Sequence, residues 1–306
     1  MIATSPEHFD FLSWSKDQRA WPLVSIGSLL VLSGGIHIIV WAVLGGPWEG
    51  AITWRKPILF GISGGLTAIS MGWVWSKLPL RRLDGVLSWS VAIALLFEVA
   101  LIDLQRWRGV ASHFNRATVI DSLLYDGMGV LILWVTLLAT DLMLRAFRQK
   151  MKASPDMVLA IQSGLVFLVL SCVLGIWVSV NGEMRMEKGL DPEGFGAEGV
   201  PKFPHGVVIH ALQLLPALAW MAARSGFSLR YRERLITYAS RSLWLLLLYA
   251  LFETLLGRSR FDPPPYLAAM LFIAIAGLMI VSGMIVVGYL RMRFGQKGSL
   301  VQTSEE

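Results

Sequence analysis

Eight long runs of apolar residues, separated by short polar segments, make up most of the chain. Each run has about the 17–25 residues that an α-helix needs to cross about 30 Å of hydrocarbon. A soluble helix of this length would carry charged residues along one face, and most of these runs have none. The pattern therefore predicts an all-α, polytopic transmembrane helix bundle of about eight spans. The predicted spans are Pro22–Leu44, Pro57–Trp75, Val86–Leu104, Ser122–Leu144, Met157–Val180, Gly206–Ala223, Leu235–Leu256 and Tyr266–Tyr289.

Composition agrees with this pattern. The 306 residues are 55% hydrophobic and 16% charged, with a mean hydropathy of +0.60, whereas a soluble domain carries about 25% charged residues. We expect a polar cytoplasmic N-terminal segment over 1–21, a transmembrane bundle over 22–290 and a cytoplasmic tail over 291–306. Within the first segment, the stretch around Phe9–Trp14 has the pattern of an amphipathic helix on the bilayer surface, and His8 is not expected to join a site.

Three further features narrow the class of protein. No short apolar core followed by small residues precedes the first span, so we expect no removable signal peptide. The single cysteine, Cys172, cannot form a disulfide within these 306 residues. A net charge of +6 is ordinary for a membrane protein with basic cytoplasmic loops, so we expect the lipid bilayer, and no nucleic acid, as a partner.

The distribution of basic residues predicts which ends of the spans face the cytoplasm. Eight spans place both termini on one side of the membrane. Sixteen Lys and Arg residues lie on the side of the termini, ten lie on the opposite side, and Arg241 lies within the seventh span, which accounts for all 27. Because cytoplasmic loops carry an excess of Lys and Arg, we predict a multi-pass protein of the bacterial inner (plasma) membrane with both termini cytoplasmic.

The two halves share three short patterns in the same order, which favours a duplicated four-helix unit with repeats over 22–147 and 156–290. Copies of four spans would be parallel and related by an axis along the membrane normal. Chance similarity among common apolar residues is an equal alternative. The matching segments are Trp41–Gly46 and Trp177–Gly182, Lys56-Pro57 and Lys202-Phe-Pro204, and Leu96–Glu98 and Leu251–Glu253.

Polar and ionisable residues inside the spans gather toward the predicted external ends. His37, Glu98, Asp121, His210 and Glu253 all lie in these outer parts of five different spans. Such side chains cost roughly 2–4 kcal/mol each unless they face protein or water. We therefore predict a shared polar pocket near the external face. The alternatives are snorkelling of the residues closest to span ends and ordinary packing of the histidines.

Helical spacing and the external loops extend the predicted pocket. Gln105 lies seven residues after Glu98 and shares its helix face, and Gln213 lies three residues after His210. The long, Gly-rich connection over 181–203 is either an adaptable lid or a solvated loop. The candidate ligand-binding residues are His37, Lys56, Glu98, Gln105, Arg108, His113, Asn115, Asp121, His205, His210, Gln213 and Glu253.

Three motifs lie on the predicted external side: Trp-Arg-Lys-Pro at 54–57, Arg-Gly-x-x-Ser-His-Phe-Asn at 108–115 and His-x-x-x-x-His-Ala-Leu-Gln-x-Leu-Pro at 205–216. Together they resemble a family of uncharacterised bacterial polytopic membrane proteins. The resemblance covers most of the chain and implies that the motifs form one functional unit. Because that family has no assigned activity, the resemblance adds no chemistry.

Three functions fit these features. The first is a transporter or receptor for a small molecule or lipid head group, favoured by the intramembrane carboxylates, the duplicated bundle and the many glycines. The second is a redox protein that holds haem b or a metal ion through His37 and His210, with Arg106, Arg108 or Arg116 at haem propionates. Against this second function, the chain lacks histidines about thirteen residues apart on one helix, as found in b-type cytochromes.

The third function is a membrane-embedded enzyme that acts on an amphiphile. Glu98 or Asp121 would be its general base, His113 or His210 its proton carrier and Arg108 its anion clamp. The sequence contains no serine-nucleophile elbow, zinc-protease helix motif or Gly-rich phosphate loop. A structural or assembly role is the remaining alternative, and the catalytic residues, cofactor and oligomeric state stay open.

Overall fold

The computed structural model describes residues 14–302, with side chains described to Phe294. Within this range, eight helical spans are long and apolar enough to cross a membrane, which confirms the predicted all-α bundle and makes the chain an integral membrane protein. The predictions for His8, for the start of the N-terminal segment and for the end of the tail lie outside the described residues. The helices are Trp21–Leu44 (α1), Arg55–Lys77 (α2), Asp84–Trp107 (α3), Val119–Arg148 (α4), Pro155–Met186 (α5), Lys202–Val208 (α6), Ala211–Ala223 (α7), Leu229–Leu255 (α8) and Pro265–Gln302 (α9).

Most helices extend past the predicted apolar cores. α4 begins at Val119 because Thr118 caps it, its hydroxyl accepting from the backbone N–H of Asp121 at 3.1 Å. α5 continues to Met186, through Asn181 and Gly182, which disfavour helix, so the expected loop over 181–203 begins later. The sixth span is interrupted between α6 and α7, where the N–H of Gln213 donates to the carbonyl of His210, three residues back, at 3.1 Å.

The described chain forms two compact units. The N-unit comprises 14–152 and 175–193, and the C-unit comprises 153–174 and 194–302. Helix α5 therefore contributes its first part to the C-unit and its last part to the N-unit. The duplication of 22–147 and 156–290 stays a prediction.

Glycines hold α1 and α2 of the N-unit close together. A Cβ on Gly61 would lie 2.9 Å from the Cα of Gly34, and a Cβ on Gly27 would lie 2.7 Å from the carbonyl oxygen of Gly65. Small residues allow helix backbones in a membrane to approach this closely, which improves their van der Waals packing. These glycines thus serve the packing of α1 against α2.

The C-unit is held by similar packing and by a buried ion pair. A Cβ on Gly164 would lie 2.7 Å from the Cα of Leu212, so α5 and α7 pack with little space between them. Phe167 packs against Trp244 of α8 with ring centroids 4.9 Å apart. Asp156, in the first turn of α5, is fully buried, and its Oδ2 lies 3.5 Å from Nε of Arg232.

Candidate functional site

One face of α3 is buried along its whole length and leads to a crevice in the N-unit. The buried positions recur every three or four residues, as expected of a helix that packs one stripe against its neighbours. They run from the first turn to the last: Asp84, Ser88, Val91, Leu95, Glu98, Ile102 and Gln105. The far side of the N-unit is defined as the side that contains the loops over 45–54 and 108–118, where α1 and α3 end.

The far-side crevice has about 150 Å³ of space, part of it open to solvent. It is narrow, and its walls carry two cations and two hydroxyls but no acidic residue. The space between its walls is too narrow to enclose even a water molecule, so a ligand group would bind at its open rim or after the walls separate. Its lining residues are Ala51, Ile52, Thr53, Lys56, Ile102, Arg106, Val110 and Ser112.

Arg106 stacks on an aromatic ring and forms no ion pair within the described part of the chain. Its guanidinium carbon lies 3.8 Å from the ring centroid of Trp54, close enough for a favourable cation–π interaction. Its Nε is buried with no hydrogen-bond partner among the described residues. The positive charge is therefore held in place by Trp54 without being neutralised by a carboxylate.

Thr53 and Lys56 add a hydroxyl and a second cation. Thr53 is 1% exposed, and its Oγ1 has no hydrogen-bond partner in the described residues. A buried hydroxyl without a partner costs about 1–3 kcal/mol. The ammonium of Lys56 lies 3.8 Å from Oε1 of Glu193, a partly exposed residue. The crevice thus contains a buried donor that a bound acceptor would satisfy.

His37 lies beside the crevice, behind Trp54. Its ring centroid is 5.9 Å from that of Trp54, and Trp54 is in turn 5.0 Å from Trp107 in an edge-to-face arrangement. The indole N–H of Trp107 donates to Nε2 of His37 at 3.2 Å, and Nδ1 lies 2.9 Å from the carbonyl oxygen of Ser33. These partners assign a neutral ring that is protonated on Nδ1. A haem or metal ligated through Nε2 would have to displace Trp107.

Asp103 joins this group through Ser33. The hydroxyl of Ser33 donates to Oδ2 of Asp103 at 3.0 Å, while Oδ1 is buried with no partner in the part of the chain described. This hydrogen bond connects α3 to α1. The histidine and the aspartate therefore lie in one polar group behind the crevice.

A second far-side group contains three of the predicted pocket residues. Nη1 of Arg108 donates to Oδ1 of Asp121 at 2.7 Å and to Oε1 of Gln105 at 2.5 Å. Nε2 of Gln105 donates to the same Asp121 oxygen at 3.0 Å, and the hydroxyl of Thr118 donates to the other at 2.7 Å. Both oxygens of Asp121 are thus engaged in fixing the start of α4, as expected of a structural cap.

The loop over 108–118 is anchored by backbone bonds and by Phe114. The side chain of Asn115 donates to the carbonyl of Ala111 at 3.0 Å and accepts from the N–H of Ala117 at 3.2 Å. Phe114 has a φ of +57°, and its ring occupies the space that a side chain on Gly182 would need. Nδ1 of His113 lies 2.9 Å from the hydroxyl of Ser112, a crevice residue.

Glu98 is 6% exposed in the middle of the buried stripe of α3. Its Oε2 is buried with no hydrogen-bond partner in the described residues, and no ion pair there includes it. Four residues further along α3 is Ile102, which lines the crevice. Because residues four apart share a helix face, Glu98 lies one turn beneath the crevice.

The remaining predicted residues lie in the C-unit. Nδ1 of His205 lies 2.8 Å from the carbonyl oxygen of Ser171, whose hydroxyl donates to the carbonyl of His205 at 2.9 Å. Glu253 is fully buried, with Oε2 3.9 Å from Nε of Arg258. His210 is exposed and precedes the first turn of α7, which carries Gln213.

The predicted pocket residues thus fall into several groups. Gln105, Arg108 and Asp121 contact one another, whereas Lys56 lines the crevice and His37 lies behind it. A single pocket shared by His37, Glu98 and His210 stays a prediction. The described residues contain no group of three or more His, Cys, Asp or Glu side chains placed to hold a metal ion.

Sequence reasoning assigned no role to Thr53, Ser33 or Trp107. A threonine in an apolar stretch carries no signal of being unpaired, since that depends on its neighbours in the fold. The tryptophans were visible as a cluster near the ends of two spans, which is where aromatic residues gather in membrane proteins.

Comparison with known proteins found no matching protein family and no significant match among curated proteins or solved structures.

Proposed function

We propose that this integral membrane protein is a receptor or transporter that binds the anionic group of a small molecule or lipid head group in the far-side crevice. The observation that carries the proposal is the pairing of an unneutralised, stacked Arg106 with the buried, unpartnered hydroxyl of Thr53. Both groups line the same narrow space. A bound anion would accept hydrogen bonds from both side chains.

The chemistry of the walls favours an anion over a neutral or cationic ligand. Arg106 supplies a positive charge, Lys56 supplies a second one that is shared with Glu193, and Thr53 and Ser112 supply hydroxyls. Hydrogen bonds between ionised partners are about twice as strong as neutral ones, and the guanidinium fork matches the oxygens of a phosphate, sulfate or carboxylate. Ala51, Ile52, Ile102 and Val110 form the rest of the wall, which suits an anion attached to an apolar chain.

The membrane and the orientation belong to the same proposal. Sixteen of the 27 basic residues lie on the side of the termini, which supports cytoplasmic termini in a bacterial inner membrane. The crevice would then face the outside. Glu49→Cys and Arg82→Cys test the orientation, because both positions are exposed and both variants are made in a Cys172→Ser background. In intact cells, a membrane-impermeant maleimide should label Glu49→Cys but not Arg82→Cys. Labelling of Arg82→Cys alone would reverse the orientation.

Binding is tested with purified protein in detergent and two probes of constant charge. Sodium sulfate represents a free anion, and dihexanoyl phosphatidylglycerol represents an anionic lipid. Dihexanoyl phosphatidylcholine is the zwitterionic control. We expect calorimetry to detect phosphatidylglycerol and not phosphatidylcholine. Binding of sulfate with similar affinity identifies a site for free anions, whereas phosphatidylglycerol alone identifies a site for lipid.

Arg106→Gln tests the site itself. We expect it to weaken anion binding at least about tenfold, since a hydrogen bond to a charged group contributes about 1.5–3 kcal/mol. The matched control is Arg55→Gln, which removes the same charge from the first turn of α2, at a residue outside the crevice lining. If both variants lose affinity equally, the general positive field and not the crevice binds the probe, and the proposal fails. Equal binding of phosphatidylcholine would also overturn it.

A further inference from the structure

Glu98 is a buried carboxyl group to which the proposed function gives no role. It lies on the buried stripe of α3 between Leu95 and Ile102, and its Oε2 has no donor in the part of the chain that the structure describes. A buried carboxylate without a partner is unfavourable in an apolar environment. In membrane proteins, such groups mark ion pathways and proton relays.

The position of Glu98 links it to the crevice. Residues 98, 102 and 106 are four apart and lie along one side of α3. With a rise of 1.5 Å per residue, Glu98 lies about 12 Å below Arg106 along the helix axis. Ile102 separates the two groups and lines the crevice. The path between them is thus apolar, and water screening across it is weak.

We propose that Glu98 is a proton-binding site whose occupancy is coupled to the anion in the far-side crevice, so that the protein binds a proton and an anion together. The inference rests on the proposed function. A proton from water binds to Oε2 of Glu98 and removes one negative charge beneath the crevice. Neutral Glu98 does not repel an anion that approaches Arg106, whereas ionised Glu98 does. Linkage makes the effect reciprocal, because a bound anion then favours the protonated carboxyl group.

The size of the coupling follows from the distance. Two unit charges about 12 Å apart, at an effective dielectric constant of about 20, change an affinity by about tenfold. Greater hydration would reduce this factor. The expected result is an anion dissociation constant that increases up to about tenfold as Glu98 loses its proton.

Other titratable groups on the helices packed against α3 define the competing explanations. None of them forms a hydrogen bond or ion pair with Glu98 in the described structure. His37 is the strongest competitor, because its ring packs against Trp54, which in turn stacks on Arg106. These groups are His37 on α1, Arg55, Lys56 and Lys77 on α2, and Asp121, Tyr125, Asp126, Asp141, Arg145 and Arg148 on α4, and α3 itself adds Asp84, Asp103 and Arg106.

The test measures anion binding against pH together with proton uptake. Sulfate and dihexanoyl phosphatidylglycerol keep their charge between about pH 5 and 9, so any change comes from the protein. Wild-type protein in weak buffer with a pH dye should take up protons when the probe binds. The affinity of Glu98→Gln for the probe should no longer depend on pH. Its proton uptake on binding should be lost.

Control variants separate the outcomes. Glu187→Gln removes an exposed carboxyl group of the same unit and should keep the wild-type pH dependence and proton uptake. Glu98→Asp, a titratable replacement, should keep proton uptake if Glu98→Gln fails to fold. Wild-type binding without proton uptake and with no pH dependence overturns the coupling and leaves the anion site standing. Loss of the pH dependence in His37→Gln but not in Glu98→Gln also overturns it. No binding of either probe at any pH refutes the proposed function itself.

Discussion

Arg145 and Asp84 form a bidentate ion pair in which neither side chain is more than 1% exposed. Nη1 donates to Oδ1 at 2.8 Å and Nη2 donates to Oδ2 at 3.0 Å. Nη2 also donates to the carbonyl of Pro79 at 2.8 Å, and Oδ2 accepts from the N–H of Arg81 at 2.9 Å. The pair joins the first residue of α3 to the last turn of α4. It therefore fixes the helix that carries both Glu98 and Arg106.

Removing one partner of this pair should destabilise the protein strongly. Arg145→Met leaves Asp84 as a buried charge, and such a change costs about 3–5 kcal/mol. We expect a large drop in the thermal unfolding midpoint in detergent. Arg148→Met, an exposed arginine one turn further along α4, is the control and should change the midpoint little. The double variant Asp84→Leu with Arg145→Met should recover part of the loss. Equal midpoints for Arg145→Met and Arg148→Met would contradict a structural role for the pair.

Asp17 should make the N-unit sensitive to acid. Hydrogen bonds from the Arg19 side chain hold the pKa of Asp17 below its usual value, against the opposing effect of burial. The distances are 2.8 Å from Nε and 2.7 Å from Nη2. Because the folded pKa is lowered, the stabilisation is complete above the unfolded pKa, about 4, and is lost as the pH decreases through the folded pKa.

The measurement compares thermal midpoints of wild-type protein and Asp17→Asn in detergent between pH 7 and pH 3. Asp17→Asn should be less stable at pH 7 by about 1.5–3 kcal/mol, and the difference should shrink below pH 4. A difference that stays constant down to pH 3 would show that the charge of Asp17 is not the source of the stabilisation.

The spans were predictable because membrane insertion is decided by local composition. A run such as the one in α1 must be helical in hydrocarbon, since no water is present to satisfy its backbone groups. The helix ends were less predictable. Thr118 and Asp121 form a recognisable cap, but the extension of α5 depends on polar residues such as Glu183, which binds Arg116 at 3.2 Å across the fold.

The candidate site was predictable only in part, for a physical reason. The sequence placed ionisable groups near span ends, and Glu98, Asp121 and Glu253 are indeed buried. It could not indicate which of them have partners. Asp121 is fully hydrogen-bonded, whereas Glu98 has a buried oxygen with none. That difference depends on the rotation of α3 against α4 and on the path of the loop over 108–118, which are products of tertiary packing.

The close packing of α1 against α2 leaves no space for a side chain at Gly65. A Cβ there would lie 2.7 Å from Cγ2 of Val31 and 2.9 Å from its backbone nitrogen, so Gly65→Ala must separate the helices. Overpacking of this kind costs about 1–3 kcal/mol. Gly35→Ala is the matched control, because nothing lies within 4 Å of its added Cβ. It should be neutral or stabilising, since alanine favours helix by about 1 kcal/mol over glycine. Equal thermal midpoints for the two variants would show that α1 and α2 are not packed this closely.

Thr53→Val should change stability and anion binding in opposite directions. Valine has nearly the shape of threonine but lacks the hydroxyl. Without ligand, the variant should be more stable by about 1 kcal/mol, because an unsatisfied buried polar atom has been removed. With the anion, it should bind at least about tenfold more weakly, because the donor to the charged ligand is lost.

Thr67→Val is the control for this last prediction. Thr67 also has a buried Oγ1 without a partner in the described residues, and it lies on α2 outside the crevice lining. It should show the gain in the thermal unfolding midpoint without ligand, while its calorimetric affinity for dihexanoyl phosphatidylglycerol should equal that of the wild type. If Thr53→Val also keeps wild-type affinity, its hydroxyl does not reach the ligand. The anion would then be held by Arg106 and Lys56 alone, and the buried position of Thr53 would have no part in recognition.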